Sequence, residues 1–308
     1  MMNRRNVFQR EGDPYLYLLV NGEWYCYNPK EEPLGGGAMG TVYLGFKVKT
    51  GEKVAIKRVK DNYSNMKSIR ERAFQEASLI FRHPNMVEMI GCCVIAPDSG
   101  PIWILSKFVQ GQDIDKYFKE IPDDSNKTAK VCTAVCQVLD ALEYVHSKGI
   151  VHRDIKPSNI MIEEGANARL MDLGIARMSG GNKFSRSGFI GTPQYSAPEQ
   201  INRDEENSSP INSATDIYAL GVTLYELLAG YNPFDSSSEM ETLIRQMRDP
   251  LPSHEKIPKR LMSVIWKATE KDQSKRYQTA DAFKTAIQAA LAQPPTFWEK
   301  IKRIFSKK

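Results

Sequence analysis

Gly35, Gly37 and Gly40 are spaced as G-x-G-x-x-G, and a lysine closes the β-branched run Val54-Ala55-Ile56-Lys57 shortly after them. Both are residue types that hold phosphate: a glycine turn lets backbone N–H groups approach an anion, and an ammonium supplies charge. The glycine spacing alone also suits a plain tight turn. The residues that follow decide the class of site. Thr41-Val42-Tyr43-Leu44 continues as a strand, whereas a dinucleotide-binding loop opens a helix, and no G-K-[ST] string enters a helix. A hairpin folded over phosphates is therefore expected. Strand alternation puts Ala55 and Lys57 on one face, with Lys57 toward the phosphates.

His152-Arg153-Asp154-Ile155-Lys156-Pro157-Ser158-Asn159 is the most specific string in the chain. It resembles the catalytic loop of eukaryotic-type protein kinases, H-R-D-x-K-x-x-N, and its lysine favours the serine/threonine branch. The chemistry agrees. A hydroxyl attacking a phosphoryl group needs an acceptor for its proton, and Asp154 is the natural base. Lys156 places positive charge where the transferring oxygens gather negative charge. Asn159 offers a neutral oxygen to magnesium.

The resemblance assigns further residues. Asp172-Leu173-Gly174 stands where the family has D-F-G, so Asp172 is expected to hold the metal, with leucine as the apolar anchor. Gly191 to Glu199, reading G-T-P-Q-Y-S-A-P-E, is similar to the family's substrate platform. It implies that Thr192 contacts Asp154 and Lys156, that Glu199 pairs with Arg276, and that Asp216 braces the catalytic loop. Glu76 is the expected helix partner of Lys57. Its spacing to His83 is about two residues short of the family pattern, so Glu71 stays as an alternative. The nucleotide is expected among Leu34, Gly35, Gly36, Gly37, Ala38, Met39, Gly40, Val42, Ala55 and Lys57. Its adenine ring would meet the backbone of the inter-lobe hinge at Ser106, Lys107, Phe108 and Val109. Ser106 is small and leaves room behind that ring for bulky inhibitors. Arg153, directly before the base, implies a phosphate-operated switch with Ser185 and Ser187 as candidates. ATP and magnesium, with manganese as a substitute, are the implied cofactors, and a protein is the implied substrate.

The elements that must position these residues follow from periodicity. Tyr15 to Val20 and Glu23 to Tyr27 flank Asn21-Gly22, a strong hairpin signal. Strand patterns continue to Val59 and return at Val87 to Ile95 and Ile102 to Phe108. One helix interrupts them, capped at Ser64 or Asn65, with Ile69, Ala73, Phe74, Ala77 and Ile80 on its apolar face. Beyond Gly111 the pattern turns helical. Val131, Val135, Val138, Leu139, Leu142 and Val145 share a face that Gly149 ends, and helices are predicted near 214–229, 239–247, 259–269 and 280–292. Strands first and helices second imply an α+β fold of two lobes, bilobal and protein-kinase-like. The expected domains are an N-terminal extension at 1–31, a kinase domain at 32–292 divided at 110, and a tail at 293–308. The polar stretch 203–213 is predicted to be a loop.

The chain has 308 residues and a net charge of +5, with acidic residues nearly matching basic ones, so strong nucleic-acid binding is not implied. Five irregularly spaced cysteines read as thiols in a reducing, cytoplasmic setting. Cys132 and Cys136, one helical turn apart, suit packing rather than metal binding. No signal peptide or transmembrane stretch is expected. In the tail, Phe297, Trp298, Ile301, Ile304 and Phe305 oppose a basic face. That pattern suits peripheral contact with the inner membrane surface, and equally docking onto the helical lobe or a partner. Two competing functions remain: a pseudokinase scaffold, which intact Lys57, Asp154, Asn159 and Asp172 disfavour, and a small-molecule kinase, which the Gly191 to Glu199 platform disfavours.

Overall fold

The computed structural model describes residues 6–37, 40–64, 66–67, 70–71, 74, 81–96, 99–123, 126–171, 192–202 and 209–292. Its strands are β1 (Val7–Gln9), β2 (Leu16–Val20), β3 (Glu23–Tyr27), β4 (Gly35–Gly36), β5 (Gly40–Lys47), β6 (Lys53–Val59), β7 (Met89–Val94), β8 (Ile102–Lys107), β9 (Gly111–Asp113), β10 (Ile160–Glu163) and β11 (Asn167–Leu170). Its helices are α1 (Asp61–Ser64), α2 (Ile114–Glu120), α3 (Lys127–His146), α4 (Pro198–Ile201), α5 (Ser213–Ala229), α6 (Glu239–Arg248), α7 (Lys259–Ala268) and α8 (Ala280–Ala292). The chain divides into two compact units, the first ending at Gly111 apart, among the described residues, from short pieces at 163–165 and 169–171. The first is β-rich and the second mainly helical, the α+β arrangement of the expected fold.

In the first unit the strands lie in the order β1-β2-β3-β5-β6-β8-β7, with β4 paired to β5. Asn21 and Gly22 both take positive φ, 50° and 80°, as a two-residue hairpin turn requires, and Val20 faces Glu23 across it. The hairpin does not hang from the sheet. Its β3 pairs with β5, and Leu18, Val20, Tyr25 and Tyr27 share one core with Val54, Ile56, Cys93, Trp103 and Leu105. Trp103 Nε1 donates to the Tyr27 hydroxyl at 2.8 Å, which satisfies a polar group inside that core. β1, too short to show a pattern in the sequence, adds a further strand beside β2.

The sheet curls until β2 meets β7. Asn21 Nδ2 donates to the Ile90 carbonyl at 2.7 Å. A side chain at Gly91, whose φ is +147°, would bring Cβ within 2.7 Å of Val20 Cγ1, so the approach requires glycine.

The second unit is organised on α5, which is buried on nearly every side, as expected of a helix apolar all round. Asn212 caps its first turn through Ala214 N, and Gly230 ends it at φ 88°. α3 buries Val131, Val135, Val138, Leu139, Leu142 and Val145, the predicted apolar face, and packs against α5 and α8. All five cysteines are free; burial raises the Cys132 thiol to about 12 and that of Cys136 to about 11, as suits packing residues. Among the described residues no helix is long and apolar enough to cross a membrane. The predicted tail, most of the loop 203–213, and Asn65, Ile69, Ala73, Ala77 and Ile80 lie outside the described residues.

Candidate active site

In the first unit the glycine segment forms a hairpin. Gly35 faces Val42 and Gly36 faces Thr41, while Gly37 N donates to Gly40 O at 2.9 Å and Leu34 N to Val42 O at 2.8 Å. Val42 in turn faces Lys57 across β5 and β6, so Leu34, Gly35, Val42 and Lys57 are stitched into one patch of sheet. At Gly40 an added Cβ would lie 2.7 Å from Arg58 O and 3.3 Å from Lys57 Cγ. The third glycine is thus what lets the hairpin close beside the lysine. Along β6, Val54 and Ile56 are buried while Ala55 and Lys57 occupy the other face, as alternation predicts.

Ala55 faces Ser106 on β8, and Ser106 also faces Met89 on β7. Ser106 and Lys107 therefore belong to the sheet. The Lys107 N–H is spent on Glu88 O at 2.9 Å, and its ammonium pairs with Glu88 Oε2 at 2.8 Å. Phe108 and Val109 follow the end of that strand, so the expected hinge run begins in the sheet and continues past it. Ala38, Met39 and Glu76 lie outside the described residues. Glu71, the alternative to Glu76, pairs at the surface with Lys67 at 4.0 Å.

In the second unit the catalytic-loop string is drawn together around one carboxylate. Lys156 Nζ lies 3.3 Å from Asp154 Oδ2, and Asn159 Nδ2 donates to Asp154 O at 2.7 Å and to Oδ2 at 3.1 Å. Lys156 also donates to Thr192 Oγ1 at 2.9 Å, and that hydroxyl lies 3.5 Å from Asp154 Oδ1. Holding its amide nitrogen on Asp154 turns the Asn159 oxygen away from that carboxylate, the orientation a metal ligand needs. Asp172 and Gly191 lie outside the described residues.

Arg153 sits at φ 66°, a left-handed conformation unusual for a residue with a side chain. Such backbone costs about 1–3 kcal/mol and persists only where its surroundings hold it. Asp216, fully buried, accepts from the N–H of both His152 and Arg153 at 2.8 and 2.7 Å. Gln200 Nε2 donates to Arg153 O at 3.0 Å. The base is thus presented by a short strained loop clamped on both sides.

The clamp is itself anchored. Glu199 and Arg276 form a fork-to-fork pair, both bonds 2.8 Å, with side chains 3% and 0% exposed. Burial pushes the Glu199 carboxyl up. The hydrogen bonds and charge of Arg276, with the Thr215 hydroxyl, outweigh it and leave the pKa below the ordinary value. Sequence reasoning missed three participants: Gln200, His146, whose Nε2 lies 2.8 Å from Asp216 Oδ2, and Gln273, which donates to Glu199 at 3.0 Å. His146 ends α3, Gln200 lies on α4 and Gln273 in the turn Gln273–Lys275, so only tertiary packing brings them in.

A sequence model described as the protein kinase domain matches residues 28–287. The chain is 34% identical over 260 residues to the serine/threonine-protein kinase PknB of Mycobacterium tuberculosis, covering 81% of this chain and 40% of that protein. It is 29% identical over 300 residues to PknD of Chlamydia caviae, covering 87% of this chain and 31% of that protein. It thus spans well under half the length of these relatives. The fold is similar to the crystal structure of the Mycobacterium tuberculosis PknI kinase domain, with a TM-score of 0.63, 23% identity, and coverage of 89% of this chain and 98% of that one. A family match across the site and most of the sequence, on a fold shared with a solved kinase domain, means that the chain belongs to the protein kinase domain family.

Proposed function

We propose that this chain is a catalytically competent serine/threonine protein kinase of the bacterial, eukaryotic-type kind, transferring the γ-phosphoryl group of ATP to protein hydroxyls, its own included. The observation that carries the reading is the convergence of Lys156, Asn159 and Thr192 on Asp154. Asp154 accepts the proton of the incoming hydroxyl, and Lys156 offsets negative charge gathering on the oxygens in transfer. Thr192 ties the platform to both, so the segment that presents the substrate is registered on the base. Lys57, aligned by Glu76, and the glycine hairpin hold phosphates, while the hinge run Ser106, Lys107, Phe108 and Val109 meets the adenine. Members of the family use ATP with a divalent metal. Asn159 and Asp172 would hold that metal, magnesium or manganese, which would supply positive charge against the phosphates.

The platform favours a protein over a small-molecule acceptor. Five free thiols, Cys93 and Cys132 buried and the others partly so, suit a reducing cytoplasmic setting. Phosphate on Ser185 or Ser187 would pair with Arg153, and the basic amphipathic tail would meet an anionic membrane or a partner; these residues lie outside the described ones.

The test is transfer from labelled ATP by purified protein onto a generic protein substrate, with phosphosites mapped by mass spectrometry. Label on serine and threonine, dependent on divalent metal, is expected. Absence of transfer under activating metal and ATP would reject the reading in favour of a scaffold.

A further inference from the structure

Lys271 follows α7 and keeps some exposure, yet its ammonium is enclosed. Nζ donates to the Tyr218 hydroxyl and to the Gln246 carbonyl, each at 2.7 Å, and lies over the rings of Phe234 at 4.5 Å and Tyr218 at 5.1 Å. Tyr218, fully buried, passes its own proton to Gln246 Oε1 at 2.6 Å. Gln246 is also fully buried, and its amide nitrogen donates to the backbone oxygen of Gln194. Gln194 lies in the single turn Pro193–Tyr195 that follows Thr192, the hydroxyl bound to Lys156. A continuous line of donors therefore runs from Lys271 to the turn beside the catalytic loop.

The direction of that line depends on charge. An ammonium has no lone pair, so it can only donate to the Tyr218 oxygen. The Tyr218 proton must then point at Gln246 Oε1, and an amide that accepts there presents its nitrogen to Gln194. A neutral amine has a lone pair. It can take the Tyr218 proton, and Gln246 then loses the bond that fixes its amide.

We infer that Lys271 is a positioning residue that holds the turn at Gln194 through Tyr218 and Gln246, and that its hold depends on the lysine carrying its proton. Its relevance to substrate rests on the reading of residues 192–199 as the platform.

The surroundings make this a switch near neutrality. Burial first, then the charge of Arg276, bring the Lys271 pKa down to about 7, while Asp249 at the end of α6 pulls it up. Burial pushes Tyr218 up, and Arg276 is committed to Glu199, whose carboxyl is held low. Below about pH 7 the line of donors is intact, and its hold weakens as pH rises through that value.

The test is hydrogen exchange by mass spectrometry over residues 192–201 in the full chain, corrected for intrinsic rates, between pH 6 and 8. Wild type is expected to open this segment more as pH rises. Lys271→Met should open it about tenfold at pH 6 and show no pH trend, the scale of one lost charge-assisted hydrogen bond. Tyr218→Phe, which keeps the lysine and nearly all the buried volume, should open it likewise. In kinase assays Lys271→Met should raise the KM for peptide and leave the KM for ATP unchanged. Wild-type protection in both variants at pH 6, a pH trend surviving in Lys271→Met, or equal loosening of α3 would overturn the inference. A wild type without phosphoryl transfer would reject the proposed function instead, and the exchange data would still judge Lys271.

Discussion

Asp216 accepts the backbone N–H of Arg153 at 2.7 Å, and this bond holds at φ 66° the residue that immediately precedes the proposed base. The carboxylate meets the two successive N–H groups with one oxygen each, and an amide offers only a single oxygen. Asp216→Asn is therefore expected to free one of them and let the loop relax. Displacement of a catalytic group by about 1 Å costs on the order of a hundredfold in rate. Steady-state kinetics should show kcat falling by that order with the KM for ATP little changed; near-normal kcat would show that the loop holds its shape unaided.

Thr192 links the platform to Asp154 and Lys156 through its hydroxyl. Thr192→Val keeps shape and loses that hydroxyl, and a fall in kcat/KM of about tenfold is expected from one lost charge-assisted hydrogen bond. Thr192→Ser should recover most of it. Equal activity in the valine and serine variants would assign Thr192 a packing role only.

The Glu199–Arg276 pair is fully desolvated, and breaking one partner of such a pair costs about 3–5 kcal/mol. Arg276→Met should lower the thermal midpoint accordingly. Because the folded pKa of Glu199 lies below its unfolded value, its contribution is complete above the unfolded value of 4.5 and is lost as pH falls through the folded one. Thermal melts should show wild type losing its advantage over Glu199→Gln in acid. An advantage that grew on acidification would contradict the assignment.

Tyr27 fills the core shared by the N-terminal hairpin and the glycine-bearing sheet, and its hydroxyl receives Trp103. Tyr27→Ala should cost about 3–5 kcal/mol, as large-to-small changes of buried aromatics do. Denaturant unfolding is the measurement. A variant as stable as wild type would mean the hairpin is an appendage after all.

How much was legible in sequence depends on distance along the chain. The Asn21-Gly22 turn, the glycine hairpin, the face of α3 and the catalytic-loop string are written in contiguous residues whose geometry is local, and they were readable. The pairs Thr192–Lys156, Glu199–Arg276 and Asp216 with the loop backbone follow from family resemblance alone, since nothing local joins residues so far apart. The joining of β3 to β5, the β2 contact with β7, and the Lys271 line of donors have neither local pattern nor motif. β1 is three residues long, too short for any alternation to stand out.

The proposed function requires Asp154 to accept the hydroxyl proton during transfer. Asp154→Asn keeps the shape of the site and removes the base, and general-base catalysis is worth about a hundredfold to ten-thousandfold. Comparison of the two proteins at saturating ATP and metal should show kcat reduced by at least about a hundredfold with nucleotide binding retained. Unchanged turnover in Asp154→Asn would contradict the account.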